Sequence, residues 1–176
     1  ETGLRKAGRL APNYNMGWNN SISYQGLTLG FVVSARVGGL VYSATQGILD
    51  YYGGSQASAD ARNNGGVPIN YGKIDAKKYY QTISTAEGGY GTYYLYSATN
   101  VRLQELSLSY DFPKKWFHNK LNLSVGLLAR NLWMIYCKAP FYPELSASTS
   151  SNFYQGVDYF MQPSTRNIGF NVKVQF

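Results

Sequence analysis

The residue types that most often carry catalysis or bind metal ions are scarce in this sequence. His118 is the only histidine and Cys137 the only cysteine among its 176 residues. A catalytic triad needs a histidine between a nucleophile and a carboxylate, and a zinc site needs several such ligands. His118 instead lies beside Lys114, Lys115 and Lys120, as is typical of a solvated turn. We predict no catalytic, metal or cofactor site, and a buried or loop position for the Cys137 thiol.

Glu144 and Asp158 are candidates for acid and base chemistry, because a glycoside hydrolase places two carboxyl groups around the scissile bond. Both lie in one predicted loop. Nearness in sequence does not fix the distance between two carboxyl groups, and acids that contact sugars or stabilise loops are commoner than hydrolase pairs. We therefore expect that the chain is not an enzyme.

Net charge raises the question of nucleic acid, since the sequence carries a formal charge of +7. Its basic residues are dispersed, however, and the only close pairs are at positions 5–6, 77–78 and 114–115. Lysines beside a membrane surface explain the last pair equally well. Nucleic acid is not an expected partner.

Aromatic side chains are the better candidates for substrate contacts. The sequence holds 17 tyrosines, and many rings lie in two long segments, 38–97 and 133–163. They would stack on sugar rings or pack against a partner protein; alternatively they hold the loops together, because aromatic area is the main source of cohesion in compact loops. The candidates are Tyr51, Tyr52, Tyr90, Tyr93, Tyr94, Phe141, Tyr142, Phe153 and Tyr154.

Alternating apolar and polar residues dominate the rest of the sequence. At the end of the chain, Ile168, Phe170, Val172, Val174 and Phe176 are apolar, and the residues between them are polar or glycine. Successive side chains of a strand point to opposite faces, and about nine to eleven tilted residues span the hydrocarbon core of a bilayer. The pattern predicts a membrane-spanning strand with lipid on one side.

The same alternation recurs upstream, and it predicts five strands near 13–25, 27–37, 98–112, 120–132 and 165–176. The apolar phase changes near Gln104, which predicts a β-bulge at that point. The side chains expected to face lipid are Leu29, Phe31, Leu106, Leu108, Leu123, Val125, Ile168, Phe170, Val172 and Val174.

Short and long connections alternate between these strands. Residues 25–26 and 113–120 are short connections, whereas 38–97 and 133–163 are long. In outer-membrane β-barrels the short turns are periplasmic and the long loops extracellular. We therefore predict an all-β fold, an antiparallel transmembrane β-barrel segment with long extracellular loops and a periplasmic carboxyl terminus. Within the first loop, residues 75–83 are predicted to form a short helix capped by Asp75.

Five strands cannot close a barrel. Bacterial single-chain barrels have an even number of strands, from about eight upward, and an open edge would leave amide groups unpaired in lipid. We expect these strands to be the carboxyl-terminal part of a larger barrel. The mean hydropathy of −0.29 fits this expectation, because half of each barrel strand faces a polar lumen.

Four segments carry a family resemblance: 97–113 (SATNVRLQELSLSYDFP), 121–132 (LNLSVGLLARNL), 138–144 (KAPFYPE) and 163–176 (PSTRNIGFNVKVQF). They resemble the last strands of SusC/RagA-like TonB-dependent outer-membrane transporters of the Bacteroidetes. Members of that family are several times longer, with about 22 strands around a plugged lumen. One departure is Tyr142, which stands where the family usually has an acidic residue before its Pro-Glu pair.

This resemblance implies active, TonB-dependent uptake of oligosaccharides or peptides across the outer membrane of a Gram-negative bacterium. It implies as partners a SusD-like surface lipoprotein over the barrel mouth, the TonB complex, outer-membrane lipid, and the remaining strands and plug of the same transporter. The plug and the amino-terminal domains are expected to lie outside this chain. Phe176 is, by the same resemblance, the terminal aromatic residue read by the outer-membrane assembly machinery.

Two other classes of protein stay open on the sequence. A passive porin-type channel would share every strand pattern and would differ in not requiring TonB. A secreted carbohydrate-binding β-domain would also alternate, but long strands with apolar outer faces and very long loops fit it poorly.

Overall fold

The computed structural model describes residues 6–84, 90–118, 120–144 and 156–175. The chain divides into two compact units. We call them the sheet unit, with residues 12–38, 98–142 and 163–176, and the loop unit, with residues 1–11, 39–97 and 143–162. Among the described helices, none has the length and apolar character needed to cross a membrane.

The described elements follow one another in the order β1 (Tyr14–Tyr24), β2 (Leu27–Val37), β3 (Leu40–Ser43), α1 (Ala44–Tyr52), α2 (Gln56–Asn63), β4 (Val67–Ile69), β5 (Gly72–Ile74), α3 (Ala76–Ser84), β6 (Leu95–Ser97), β7 (Asn100–Asp111), β8 (Asn122–Cys137), β9 (Val157–Asp158) and β10 (Asn167–Gln175). Single 3-10 turns occupy Gly91–Tyr94 and Lys114–Phe117.

The sheet unit is built on one five-stranded sheet with the order β1-β2-β7-β8-β10. Every neighbouring pair of strands in it is antiparallel. The all-β, antiparallel class predicted from the alternation is confirmed. Both edges of the described sheet, β1 and β10, have a strand partner on one side only.

Register keeps side chains of one kind in rows across this sheet. One row runs through Ile22, Leu29, Leu108, Leu127 and Phe170, which are all apolar. The adjacent row, on the opposite face, runs through positions 21, 30, 107, 128 and 169, where four of the five side chains are serine or glycine. The sheet therefore has one apolar face and one face that is mostly polar or bare.

The pairing contains irregularities at the loop end of β7 and β8. Glu105 pairs with Val32 and Leu103 with Val33, so Gln104 is the extra residue of a bulge, and the bulge predicted there is confirmed. The predicted end of the fourth strand at 132 was too early, because β8 continues to Cys137. Against β7, the same shift at Gln104 moves the pairing on β8 from Arg130 to Trp133, past the left-handed residue Asn131, and a second shift moves it from Met134 to Tyr136. A single-strand pattern does not reveal such shifts.

The turn between β1 and β2 requires glycine. Gln25 and Gly26 have φ values of 47° and 86°, which is the backbone of a two-residue type I′ hairpin turn. The Gly26 carbonyl accepts a hydrogen bond of 2.8 Å from the Asp111 amide, which ties the turn to the end of β7. A Cβ atom at position 26 would lie 2.6 Å from the Asp111 carbonyl oxygen.

The loop unit has secondary structure of its own. Its three-stranded sheet has the order β6-β3-β9, and β4 and β5 form a separate hairpin. The helix predicted over 75–83 is confirmed as α3, and the Asp75 carboxylate accepts a capping bond of 2.9 Å from the Lys78 amide. Val41 and Ile83 are among its buried apolar side chains.

Buried polar contacts also hold the loop unit together. The Tyr94 hydroxyl donates to the Asp50 carboxylate at 3.0 Å, and the Ser43 hydroxyl donates to Asp158 at 2.9 Å. Tyr94 and Asp50 are only 3% and 5% exposed. Burial, followed by the neighbouring Asp50 charge, raises the pKa of Tyr94.

Gly26→Ala should destabilise the protein by about 1–3 kcal/mol. The alanine would have to adopt the left-handed backbone of this turn, and its Cβ would press against the Asp111 carbonyl oxygen. Urea unfolding of the intact protein in detergent measures this free energy. Gly17→Ala is the control, since nothing lies within 4 Å of a Cβ at that strand position. Equal losses in the two variants would contradict the turn assignment.

Tyr94→Phe should destabilise the loop unit by about 1–3 kcal/mol, because Asp50 stays buried with one hydrogen bond fewer. Rates of limited proteolysis between residues 39 and 97 report this loss. The matched control is Tyr71→Phe, whose side chain is fully exposed, and it should leave the rate unchanged.

The same pair of variants tests the pH dependence. An unfolded tyrosine ionises near pH of about 10, whereas Tyr94 keeps its proton to higher pH, so stability should fall as the pH rises above about 10. Below that pH the group is neutral in both states and contributes no pH dependence. Tyr94→Phe should flatten the alkaline decline, and an unchanged slope would show that Tyr94 does not cause it.

Candidate functional site

The apolar face of the five-stranded sheet is uncovered within the described chain. Phe170 and Ile168 on β10 are 78% and 77% exposed, and Trp18 and Ile22 on β1 are also exposed. Trp18 packs edge-on against Phe31 of β2, with ring centroids 5.1 Å apart. Soluble monomers rarely expose a continuous apolar surface of this extent, which marks an interface with protein or membrane.

All ten side chains that the sequence assigned to a lipid-facing surface share this face. The strand register aligns each of them with an apolar partner on at least one neighbouring strand, although Phe31 also pairs with the polar Asn20 of β1. Exposed members are Leu29, Leu108, Ile168, Phe170, Val172 and Val174, and half-buried members are Phe31, Leu106, Leu123 and Val125.

An aromatic cluster lies where β7 enters the turn to β8. The Phe112 ring is 4.9 Å from the Tyr110 ring, 5.8 Å from the Trp116 ring and 6.4 Å from the Phe117 ring, measured between centroids. His118 follows in the same turn with a φ of 53°. Tyr110 and Trp116 have an apolar ring with one polar group, and such rings are typical of the boundary between hydrocarbon and water.

The polar face of the sheet carries charged groups near its loop end. Arg130 and Glu105 form an ion pair with a distance of 3.0 Å from Nε to Oε2. Arg102 donates from Nε to the Ser34 hydroxyl at 2.9 Å, and its guanidinium group also bonds the Tyr142 hydroxyl. An exposed ion pair such as Arg130–Glu105 contributes little stability. The main consequence of these residues is that they place charged groups on the polar face.

A small cavity of about 150 Å³ opens beside these groups in the sheet unit. Its lining comprises Arg102, Asn131, Trp133, Met134, Tyr142, Ser164 and Arg166. The volume is below that of most pockets that enclose a small molecule.

Two larger cavities lie in the loop unit, each of about 330 Å³. The helix crevice, as we call the first, opens between α1, α2 and α3 and is lined by Asp50, Tyr51, Tyr52, Gly53, Ser58, Arg62, Ala76, Lys77, Tyr80 and Gln81. The second is lined by Ile74, Tyr79, Thr82, Ile83, Tyr90 and Tyr93. Burial is the largest cause that raises the pKa values of Tyr79 and Tyr80 above that of an ordinary tyrosine.

Among the aromatic candidates for substrate contacts, Tyr51 and Tyr52 line the helix crevice, and Tyr90 and Tyr93 line the second cavity. Tyr142 belongs to the sheet unit, where it contacts Arg102, and Phe141 is half-buried. Phe153, Tyr154 and the terminal Phe176 lie outside the described residues.

The sequence predicted Tyr94 as a contact for substrate or for the surface lipoprotein, and the structure corrects this prediction. Its ring is buried and its hydroxyl is bonded to Asp50, so it is a core residue of the loop unit. The alternative considered for the loop aromatics, that they hold the loops together, applies to Tyr94.

Sequence reasoning missed the polar members of the helix crevice. Lys77, Tyr80 and Gln81 occupy positions i, i+3 and i+4 of α3, and that spacing places them on one side of a helix. The spacing was available in the sequence, but Arg62 reaches the crevice only because α2 packs beside α3.

The residues considered for catalysis or metal binding lie in separate elements of the described chain. His118 lies in the turn before β8, Cys137 ends β8 with its thiol against the Ala139 carbonyl, and Asp158 is bonded to Ser43. No three His, Cys, Asp or Glu side chains of the described residues form a group that could hold a metal ion.

Val172→Arg should cost about 2–4 kcal/mol or prevent assembly if the apolar face meets lipid, whereas Asn171→Arg on the opposite face should be tolerated. The two positions are adjacent on β10 and point to opposite faces. The amount of folded protein in outer-membrane fractions and its unfolding midpoint are the measurements. Equal damage from the two arginines would contradict the assignment of the faces.

Comparisons with known proteins place this fold. No protein-family model matches the sequence, and no curated protein matches it significantly. A chain of the RagAB peptide importer in its open-open state is 21% identical over 97% of this chain and 17% of that chain, with a TM-score of 0.65. In the closed-closed state the identity is 22% over 97% of this chain and 18% of that chain, with a TM-score of 0.67. A chain of the RagAB peptide transporter is 20% identical over 75% of this chain and 15% of that chain, with a TM-score of 0.54.

The chain thus spans 17% and 18% of the length of the first two of these proteins. At such identities the likeness concerns the fold alone. The five-stranded sheet with its loop unit has the fold of a segment from a chain of the RagAB peptide importer.

Proposed function

We propose that this chain is the carboxyl-terminal part of the barrel wall of an outer-membrane transporter of the SusC/RagA kind, which imports peptides or oligosaccharides by a TonB-dependent mechanism. The observation that carries the proposal is the sheet with two opposite faces. The row through Ile22, Leu29, Leu108, Leu127 and Phe170 is apolar across all five strands, and Asn20 is a polar exception in the next row of that face. The same strands present serine, glycine and asparagine on the other side.

Lipid is the partner that fits the apolar face. A membrane-spanning strand must pair every backbone amide with a neighbouring strand, and the inner three strands of the sheet have partners on both sides. Strands β1 and β2 have eleven residues each, which matches the tilted length needed to cross the hydrocarbon core. The ten side chains named above would then contact acyl chains.

The polar face would line the lumen of the barrel, and the loop unit would face the cell exterior. In barrels of this kind the strands that enclose a lumen carry polar side chains inward, and the long loops are extracellular. The aromatic cluster around Phe112 would lie at the periplasmic boundary, with Lys114 and Lys115 near lipid head groups.

Peptides are the first substrate class to test, because the solved structures that this chain resembles are those of a peptide importer. The remaining strands, the plug, the contact with the TonB complex and a SusD-like surface lipoprotein belong to the same proposal. This chain covers 17% and 18% of the two chains it resembles, so the remaining strands and the plug would belong to the share that it does not cover. Phe176 is proposed as the terminal residue that the assembly machinery reads.

Growth of a deletion strain tests the proposal. We expect the strain to lose growth on one class of nutrient, peptide or oligosaccharide, and to regain it with the intact gene but not in a strain without TonB. Uptake of a labelled substrate measures the same defect directly.

The outcomes separate the alternatives. Uptake that persists without TonB would overturn active transport in favour of a passive porin-type channel. Recovery of the protein from the soluble fraction without detergent would instead support a secreted β-domain.

A further inference from the structure

The helix crevice of the loop unit has the size and lining of a site for part of an organic molecule. Its volume is about 330 Å³, and pockets for small molecules begin at about 300 Å³. Helix α1 contributes Tyr51 and Tyr52, α2 contributes Arg62, and α3 contributes Lys77 and Tyr80. Aromatic rings with a few charged groups are the usual lining of such pockets.

Two cationic groups in this lining retain donors. Arg62 donates from Nη1 to the Gly53 carbonyl at 2.8 Å, and no other described group accepts from its guanidinium. The Lys77 ammonium has neither an ion pair nor a hydrogen bond to any described residue. Guanidinium and ammonium groups each carry several donors, and their strongest partners are carboxylates and phosphates.

The carboxylate in the described lining, Asp50, already accepts hydrogen bonds from two residues of the loop unit. The Asp50 carboxylate is buried, and it accepts from the Tyr94 hydroxyl at 3.0 Å and from the side-chain amide of Gln46 at 3.1 Å. The nearby Asp60 of α2 accepts from the Gln56 amide at 2.7 Å. The groups that remain for a ligand are therefore the two cations, and they favour an anion.

The aromatic part of the crevice forms a corner. The rings of Tyr51 and Tyr52 are 5.1 Å apart between centroids and meet at 82°. Their ring faces offer apolar area against which an apolar side chain of a ligand would pack.

We propose that the helix crevice binds the carboxyl-terminal residue of an oligopeptide, with its carboxylate on Arg62 and Lys77 and its side chain against the rings of Tyr51 and Tyr52. A terminal peptide residue is suited to this site because its carboxylate and its side chain branch from the same carbon atom. The inference rests on the proposed transport function and adds to it a binding site and the group of the peptide that this site would recognise.

Calorimetric binding of a pentapeptide ending in phenylalanine to the intact protein in detergent tests the site. The free acid should bind at least about tenfold more tightly than the carboxyl-terminal amide, since bonds to charged groups contribute that much or more. Lys77→Glu should abolish this preference. Lys78→Glu, an identical change at the next residue and outside the described lining, should preserve it.

Two further variants separate recognition from folding. Lys77→Arg should keep the preference for the free acid, because the charge remains. Tyr52 is 81% exposed, so Tyr52→Ala should leave the fold intact and weaken both forms of the peptide alike. A loss of preference in Lys78→Glu as well would show that net charge and not this crevice is responsible, and would overturn the site.

Equal binding of acid and amide by the unaltered protein, or an unchanged preference in Lys77→Glu, would also overturn the proposal. Tighter binding of trigalacturonic acid than of the peptide, lost in Lys77→Glu, would overturn the peptide assignment in favour of an acidic oligosaccharide. These binding measurements use purified protein and are independent of uptake in cells. If cells take up peptides normally but the purified protein does not bind the peptide in the expected way, only the proposal for the helix crevice is overturned. Absent uptake beside a positive binding result overturns the transport function alone.

Discussion

The sheet unit depends on the constraint that successive side chains of a strand point to opposite faces, while hydrogen bonding keeps neighbouring strands in register. A slip of one residue would move a whole apolar row to the polar face. The bulges show how the constraint is kept. After the extra residue Gln104 in β7 and the left-handed Asn131 in β8, Leu103 and Trp133 are again paired in a row with Val33 and Trp18. Pairing shifts, but the apolar side chains stay on one face.

The loop unit obeys a different constraint. Its strands are short, and none of its described elements repeats the two-faced pattern of the sheet unit. Cohesion comes from a small apolar core with Val41 and Ile83, and from buried bonds such as those of Asp50 and Asp158. Buried polar contacts are directional, so they fix the relative orientation of the segments they join more narrowly than apolar packing does. One wall of the helix crevice is held in this way, because the Asp50 side chain joins α1 to Tyr94.

This difference explains how far the sequence could be interpreted. The strands, their facing and the bulge at Gln104 follow from a period of two that each segment carries by itself. The extension of β8 to Cys137 does not, because it depends on register shifts against another strand. The cap of α3 was visible in Asp75, but the burial of Tyr94 was not, since its partner lies on α1. The helix crevice combines residues from three helices. The sequence contains only the spacing that places three of them on one side of α3.

The two constraints also divide the chemistry between the units. A strand whose alternate positions must be apolar keeps half of its residues for other purposes, and here many of those are small, as at Gly30, Ser107 and Gly169. At these small positions the polar face offers few groups for contacts, and its charged side chains, such as Arg102 and Arg130, lie near the loop end. The loop unit is free of the alternation, and it supplies the larger cavities, the clustered tyrosines and the cations with spare donors. Under the proposed transport function, discrimination between solutes is therefore expected mainly from the loops, which supply more groups for contacts than the sheet does.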